Sequence, residues 1–243
     1  FKPTPMKKVF HPEASRGRAS YGWLEARYSF SFANYFNAER MNFGLLRVLN
    51  DDVVAPGTGF GTHPHENMEI ITIPQRGALR HKDSMGNEGV IAAGDIQVMS
   101  AGSGVTHSEM NASSKEEVAL FQIWIIPNET NVLPRYDQKK IASLTTPNTF
   151  TTVVKPKIEA TKGDLWIHQN AYFNIANCDE DTLLEYPLKN ASHGVYLIVM
   201  EGSVFFENQT LTQRDAMGLW DTPYVSMEAK KGSRLLLIEV PLN

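Results

Sequence analysis

The chain is almost without cysteine. Cys178 stands alone, so no internal disulfide can form and no Cys-x-x-Cys metal site can be built, in keeping with a reducing cytoplasm. Its neighbours Asn177, Asp179 and Glu180 carry no positive charge that would favour a thiolate, so Cys178 reads as a structural thiol and not a nucleophile. Long apolar runs are also missing. Stretches such as residues 194–200 and 235–238 fall far below the ~20 residues needed to cross a bilayer, and no membrane span is expected. Nor is there a basic excess: 23 Lys and Arg stand against 27 Asp and Glu, a formal net charge of -4, which gives no electrostatic support to direct nucleic-acid binding. Residues 1–5 precede Met6 with no apolar signal region, so they read as an extension ahead of a native start, and the expected location is the cytoplasm.

Sustained helical periodicity is the last absence. What is present instead is a series of short β-prone runs, at 43–48, 68–73, 90–92, 96–99, 119–126, 151–154, 165–167, 196–200, 204–206 and 235–240, separated by Gly, Pro, Asn and Asp clusters. This pattern predicts an all-β fold of antiparallel barrels or sandwiches of the jelly-roll type. With 243 residues there is room for one large β domain or two of roughly 120 residues. A weak internal repeat favours two: Ile73-x-x-x-Gly77-x-Leu79 followed by Gly94-Asp95-Ile96 matches Ile198-x-x-x-Gly202-x-Val204 followed by Arg214-Asp215-Ala216. The polar, Pro-containing stretch 127–138 is the expected linker, giving an N-terminal unit over 6–130 and a C-terminal unit over 139–243.

Two short signatures carry the chemistry. In His63-Pro64-His65 and His107-Ser108-Glu109, alternate residues of a strand point to one face, so each pair can aim two donors at one point. One His-x-His is ordinary in a strand; the second pair and its glycine-rich approach make the set a transition-metal site. Three imidazoles and a carboxylate lack thiolate and suit a site with an open coordination position better than a closed structural zinc site. In the second copy the aligned positions are Leu188, Asn190, Met227 and Ala229, which cannot replace those ligands, and His193 is the one imidazole nearby.

The run Gly59-Phe60-Gly61-Thr62-His63-Pro64-His65-Glu66-Asn67-Met68-Glu69, then residues 81–87 (His81-Lys82-Asp83-Ser84-Met85-Gly86-Asn87), then 94–109 from Gly94-Asp95 through Gly102-Ser103-Gly104 to His107-Ser108-Glu109, resembles the pirin family of the cupin superfamily. The likeness extends to residues 29–35 and to Gln122-Ile123-Trp124, covering most of the first half. The resemblance implies a bicupin of two jelly-roll-type β-barrels, with one divalent transition metal in the N-terminal barrel held by His63, His65, His107 and Glu109. Fe(II) is the favoured ion, with Ni, Co, Mn, Cu or Zn as alternatives. It further implies a quercetin 2,3-dioxygenase, opening the central ring of a flavonol with O₂ and releasing CO, with Glu109 also the catalytic base. The competing implication is a non-catalytic, metal- or redox-responsive regulatory binding protein. The expected partners are a flavonol or related phenolic and O₂; a protein partner is left open, and a monomer is expected.

Glu69 lies four residues after His65, where many other cupins place a ligand; here it is expected to support the site from behind the ligands or to serve the fold. Pro64 removes a ladder donor and marks an edge position. Gly102-Ser103-Gly104 is expected to form a tight turn delivering His107, and Phe30, Phe32, Tyr35 and Phe36 to pack in the core. His11, His81 and His168 are expected to be structural or surface residues.

Overall fold

β-Branched and aromatic residues arranged in short runs, each closed by a glycine or an Asx turn, give strands and almost nothing else. The computed structural model describes residues 5–243, so the reading of 1–5 falls, apart from Pro5, outside the described residues. The first half contains β1 (Lys7–His11), β2 (Gly17–Ser20), β3 (Leu24–Tyr28), β4 (Leu46–Val54), β5 (Gly59–His65), β6 (Glu69–Arg76), β7 (Ala78–Asp83), β8 (Glu88–Ala92), β9 (Asp95–Ser100), β10 (Val105–Asn111), β11 (Val118–Ile125) and β12 (Arg135–Lys140). The second contains β13 (Thr151–Pro156), β14 (Leu165–Ile167), β15 (Tyr172–Asn177), β16 (Thr182–Pro187), β17 (Gly194–Glu201), β18 (Ser203–Phe206), β19 (Gln209–Thr212), β20 (Ala216–Trp220), β21 (Tyr224–Ala229) and β22 (Arg234–Val240). The helical segments among the described residues are three single 3₁₀ turns, and no helix is long and apolar enough to cross a membrane.

Each half pairs a seven-stranded sheet with a four-stranded one. The orders are β12-β9-β6-β11-β4-β3-β2 with β5-β10-β7-β8, and β1-β20-β17-β22-β15-β13-β14 with β16-β21-β18-β19. The two orders correspond, as the repeat predicts, except at the outer edge, where β2 runs antiparallel to β3 but β14 runs parallel to β13. Gly77 and Gly202 both take positive φ, 74° and 82°, where β6 passes into β7 and β17 into β18. A Cβ at Gly77 would sit 2.7 Å from the Glu117 carbonyl oxygen, and at Gly202 2.6 Å from Ser233 Cα, so each turn needs glycine twice over. Asp95 and Asp215 repeat as well: the Oδ2 of each accepts a backbone N–H three residues upstream, from Ala92 and Thr212, at 2.9 Å.

Sheet membership departs from the expected boundaries at two strands. β1 pairs with β20 in the second half's sheet, and β12, much of which lies in the expected linker, pairs with β9 in the first half's sheet. The physical reason is the edge: β9 and β20 would otherwise show a row of unpaired backbone groups, and each is covered by a strand from outside its own unit.

The largest apolar cluster lies between the halves. Ile71, Ile73, Phe121 and Ile123 of one seven-stranded sheet pack with Phe173, Ile198, Leu236 and Ile238 of the other. The second sandwich is also filled, by Leu184, Leu197, Val204, Leu211, Met227 and Leu237 among others. The first sandwich differs. Its apolar clusters are small, around Leu24, Leu79 and Leu120 and around Ile70 and Met99, and its buried residues include the polar side chains of Asn50, Asp52, His81, Gln97, His107 and Glu109.

Candidate metal centre

β5 is an edge strand of its four-stranded sheet, which tolerates the missing N–H of Pro64, and it pairs antiparallel with β10 so that His107 lies directly opposite His63. A register shift between His107 and Glu109 sets Glu109 against Phe60. The Gly102–Gly104 turn precedes β10: Gly104 N–H donates to the Ala101 carbonyl at 3.0 Å, and Gly102 takes φ 52°, where a Cβ would collide with the Val132 carbonyl oxygen. The expected tight turn is therefore present.

This pairing gathers three imidazoles, with donor atoms of His63, His65 and His107 within 4.8 Å of one another. His63 Nδ1 lies 2.6 Å from the Gly61 carbonyl, which places the proton on Nδ1 and leaves Nε2 as a donor. His65 Nε2 and His107 Nε2 are 3.0 Å apart. Burial, with the neighbouring His63 ring second, lowers the His65 pKa to about 4; burial and the surrounding rings His63, His65 and His81 lower His107 to about 3. The three rings converge on one point, and burial favours the neutral form that a metal needs in His65 and His107. Glu109 stands beside the trio, its Oε1 3.6 Å from His107 Nε2, while its buried Oε2 has no partner. The residues present fit a divalent ion.

The surroundings of Glu109 were partly hidden in the sequence. Trp124 Nε1 donates to Gln122 Oε1 at 3.3 Å, which turns the Gln122 amide so that its Nε2 donates to Glu109 Oε1 at 3.0 Å. Burial raises the Glu109 pKa to about 7, opposed by the Gln122 hydrogen bond. Burial, then the charges of Asp51 and Glu109, raise the pKa of Asp52, on β4, well above its ordinary value. Asn50-Asp51-Asp52 in the middle of an otherwise apolar strand was the available signal: charge there requires a reason. His81, expected to be structural or on the surface, is wholly buried on β7 directly across from Glu109, and its Nε2 bonds Asp83 Oδ2 at 2.7 Å.

A cavity of about 200 Å³ opens on this cluster, walled by Tyr28, Phe32, Phe60 and Trp124 with Asp52, His63, His65, Glu109 and Gln122. An outer cleft of about 610 Å³, between Pro64, His65, Glu66, Ser84, Val105 and Thr106, shares His65 with this cavity. Of the four aromatic residues expected in the core, Phe30 is in the apolar layer between the halves, Tyr35 packs on Tyr28, Phe32 lines the cavity and Phe36 is 73% exposed.

Glu69 is turned away from this cluster. The argument that it shares a face with His65 needs one continuous strand, but the chain bends at 66–68, with Asn67 at φ 46°, and β6 enters the other sheet. Glu69 Oε1 accepts the His168 backbone N–H at 2.5 Å and so ties the halves together. His168 and His11 are both buried, the latter bonded through Nδ1 to Tyr196 Oη at 2.9 Å. In the second half, Met227 and Ala229 belong to its apolar filling, and His193 Nδ1 is bonded to Glu239 Oε2 at 2.6 Å. Cys178 is buried and its thiol pKa is pushed up by that burial.

Comparison with known proteins agrees with this geometry. The family profile described as Pirin matches residues 9–125, and that described as Quercetinase C-terminal cupin domain matches 157–240. A quercetin 2,3-dioxygenase from Escherichia coli K12 is 40% identical over 93% of this chain and 95% of its own length. A pirin-like protein from Caulobacter vibrioides is 38% identical over 92% and 95%. Among solved structures, a bacterial pirin from Escherichia coli in complex with nickel(II) superposes with a TM-score of 0.89 at 36% identity, covering 97% of this chain and 99% of that one. Paired sheets in two matching halves, an imidazole cluster in the first half and these likenesses along nearly the whole chain lead to one conclusion: the chain belongs to the pirin family of the cupin superfamily.

Proposed function

We propose that the chain is a metal-dependent dioxygenase that opens the central ring of flavonols such as quercetin with O₂ and releases CO. The observation that carries this reading is a buried carboxylate, Glu109, with its pKa raised to about 7 by burial, beside a cluster of three imidazoles at an aromatic-lined cavity. The name of the Escherichia coli relative supports the substrate class.

His63, His65, His107 and Glu109 would hold a divalent transition metal, Fe(II) before Ni, Co, Mn, Cu or Zn, which would supply Lewis acidity to lower the pKa of the flavonol 3-oxygen. Glu109 accepts the 3-hydroxyl proton, and the Trp124–Gln122 relay holds its Oε1 in place for that transfer. Phe32 and Trp124, edge-to-face at 5.4 Å, and Phe60 present apolar surface to a planar polyphenol and exclude water. Asp52, whose pKa burial pushes well above its ordinary value, adds a polar group to the cavity wall. The inner cavity is smaller than the ~300–1,000 Å³ of most ligand pockets, so the remaining ring of the flavonol extends toward the outer cleft that shares His65.

The test is O₂-dependent loss of quercetin absorbance with CO detected in the headspace, on samples of measured metal content reconstituted with each candidate ion. Turnover in at least one metal form is expected. A fully metallated protein that leaves quercetin intact with every ion would instead favour the regulatory binding protein.

A further inference from the structure

Beside the apolar layer that joins the halves lies a group of charges unrelated to the imidazole cluster. Asp51 and Asp52 are consecutive on β4: Asp52 lines the cavity, whereas Asp51 meets Arg214 of the second half, Nε to Oδ2 at 3.3 Å. Arg16 and Arg40 are buried, 4% and 8% exposed, and both are anchored on Ser29. Arg16 Nε donates to Ser29 Oγ at 3.0 Å; Arg40 Nε donates to the Ser29 carbonyl at 2.9 Å and its Nη1 to Ser15 Oγ at 3.0 Å. The Arg214 guanidinium lies over the Phe121 ring, 4.7 Å from its centroid.

After these contacts, four buried guanidinium nitrogens have no partner: Arg16 Nη1 and Nη2, Arg40 Nη2 and Arg214 Nη1. Asp51 is the carboxylate that meets Arg214 and feels Arg16, and Arg40 is in no ion pair among the described residues. The other acid near them, Glu13, is committed at the rim to Arg18 and Arg27, at 3.1 and 3.4 Å. His11 and Tyr196 bond each other, and burial holds the Tyr196 phenol above its ordinary pKa, so neither supplies negative charge. Buried cations without counter-charge or acceptors are strongly disfavoured, and the two terminal nitrogens of one guanidinium match the oxygens of an oxyanion.

We propose that this seam is a binding site for a small inorganic anion, held by Arg16, Arg40 and Arg214. The ligand joins residues that precede and flank β2 and β4 to the turn before β20 in the other half. Its effect is therefore on the union of the halves, and it is independent of the chemistry at Glu109.

The test is calorimetric melting of the metal-loaded protein in sodium gluconate, with sodium phosphate, sulfate or bromide exchanged in at constant ionic strength. A saturable rise is expected, roughly 5–10 °C at about 100 times the dissociation constant. A response to phosphate or sulfate alone assigns an oxyanion, and to bromide alone a halide. Arg16→Met and Arg40→Met should each abolish the rise, and Arg16→Met should melt no lower than wild type in gluconate, since it removes an uncompensated charge. A rise that survives in both variants belongs elsewhere, such as the metal centre, and overturns the proposal. Should Arg16→Met fail to fold, wild-type crystals grown in bromide decide: an anomalous peak within about 3.5 Å of the Arg16 terminal nitrogens supports the site. Water alone on those nitrogens, together with no saturable response, overturns it.

Discussion

His81 and Asp83 form a buried pair, Nε2 to Oδ2 at 2.7 Å, that repeats the imidazole-x-carboxylate spacing of His107 and Glu109 one strand away. The register places Glu109 opposite His81 and His107 opposite Asp83, so all four share the inner face of the sheet. Asp83 also accepts the backbone N–H groups of Met85 and Asn87, which fixes it in its turn, and His81 stacks on Tyr136 with centroids 4.5 Å apart. The pair thus forms a rigid wall behind His107.

Removing that wall should loosen the imidazoles without deleting one. His81→Phe is expected to weaken metal binding by ~10–100-fold, the usual scale for groups that support ligands, and to cost about 1–3 kcal/mol of stability through the acceptor left at Asp83. Competitive metal titration and urea unfolding of apo-protein read the two effects separately. Unchanged values in both would show the pair to be incidental.

Glu109→Gln and Glu69→Gln separate the two carboxylates. Glu109→Gln should lower metal occupancy and, where metal remains, reduce turnover by about 10² to 10⁴ through loss of the base. Glu69→Gln should keep its metal, because an amide oxygen can still accept the His168 N–H. Metal content and quercetin consumption measured on the same samples check both, and metal loss confined to Glu69→Gln would reverse the assignment.

Metal itself should stabilise the native chain. At ~100 times its dissociation constant a bound ion adds about 2.7 kcal/mol, which for this length raises the melting temperature by roughly 5–10 °C. Chelation should return the lower value. Identical melting of verified apo and loaded protein would argue against a site preformed in the fold.

His11 makes stability pH-dependent. Burial first, then Arg40 and Arg16, lowers its pKa to about 4 from 6.5. Above pH 6.5 the ring is neutral in both states and costs nothing. As pH falls toward 4 the unfolded chain takes up a proton that the folded chain refuses, and stability drops by on the order of 3 kcal/mol. Glu69, raised to about 7 mainly by burial, acts in the opposite sense: its contribution is present below 4.5 and lost as pH rises through 7. Urea midpoints between pH 4 and 7 should therefore fall less steeply with acid in His11→Gln than in wild type, and parallel curves would refute the assignment.

The halves should not survive separation. Because the largest apolar cluster is shared between the two seven-stranded sheets, a fragment of residues 1–140 would expose Ile71, Ile73, Phe121 and Ile123 and lack the covering of Glu69 by the His168 backbone. Loss of a cooperative thermal transition in the fragment is expected; a sharp transition would mean that the first sandwich is stabilised from within.

Much of this protein is local in origin and therefore legible along the chain. Strand runs, the matching Gly77 and Gly202 turns, the edge position of Pro64 and the shared face of His63 with His65 and of His107 with Glu109 follow from period-two alternation, backbone sterics and short spacing, all of which act within a few residues; the pairing of β5 with β10 brings the two signatures together. The His107-Ser108-Glu109 spacing also marks Glu109, but its partners Gln122 and Trp124 come from a different sheet. Tertiary structure decided what depends on which strand lies next to which. It carried β1 and β12 onto the exposed edges β20 and β9, turned Glu69 toward His168 through a bend that breaks the strand, and set Asp51 and Asp52 to opposite sides of β4, one toward Arg214 and one toward the cavity. Pairing across long separations is set by the burial of whole sheet faces and the covering of whole edges, and no window of neighbouring residues contains those energies.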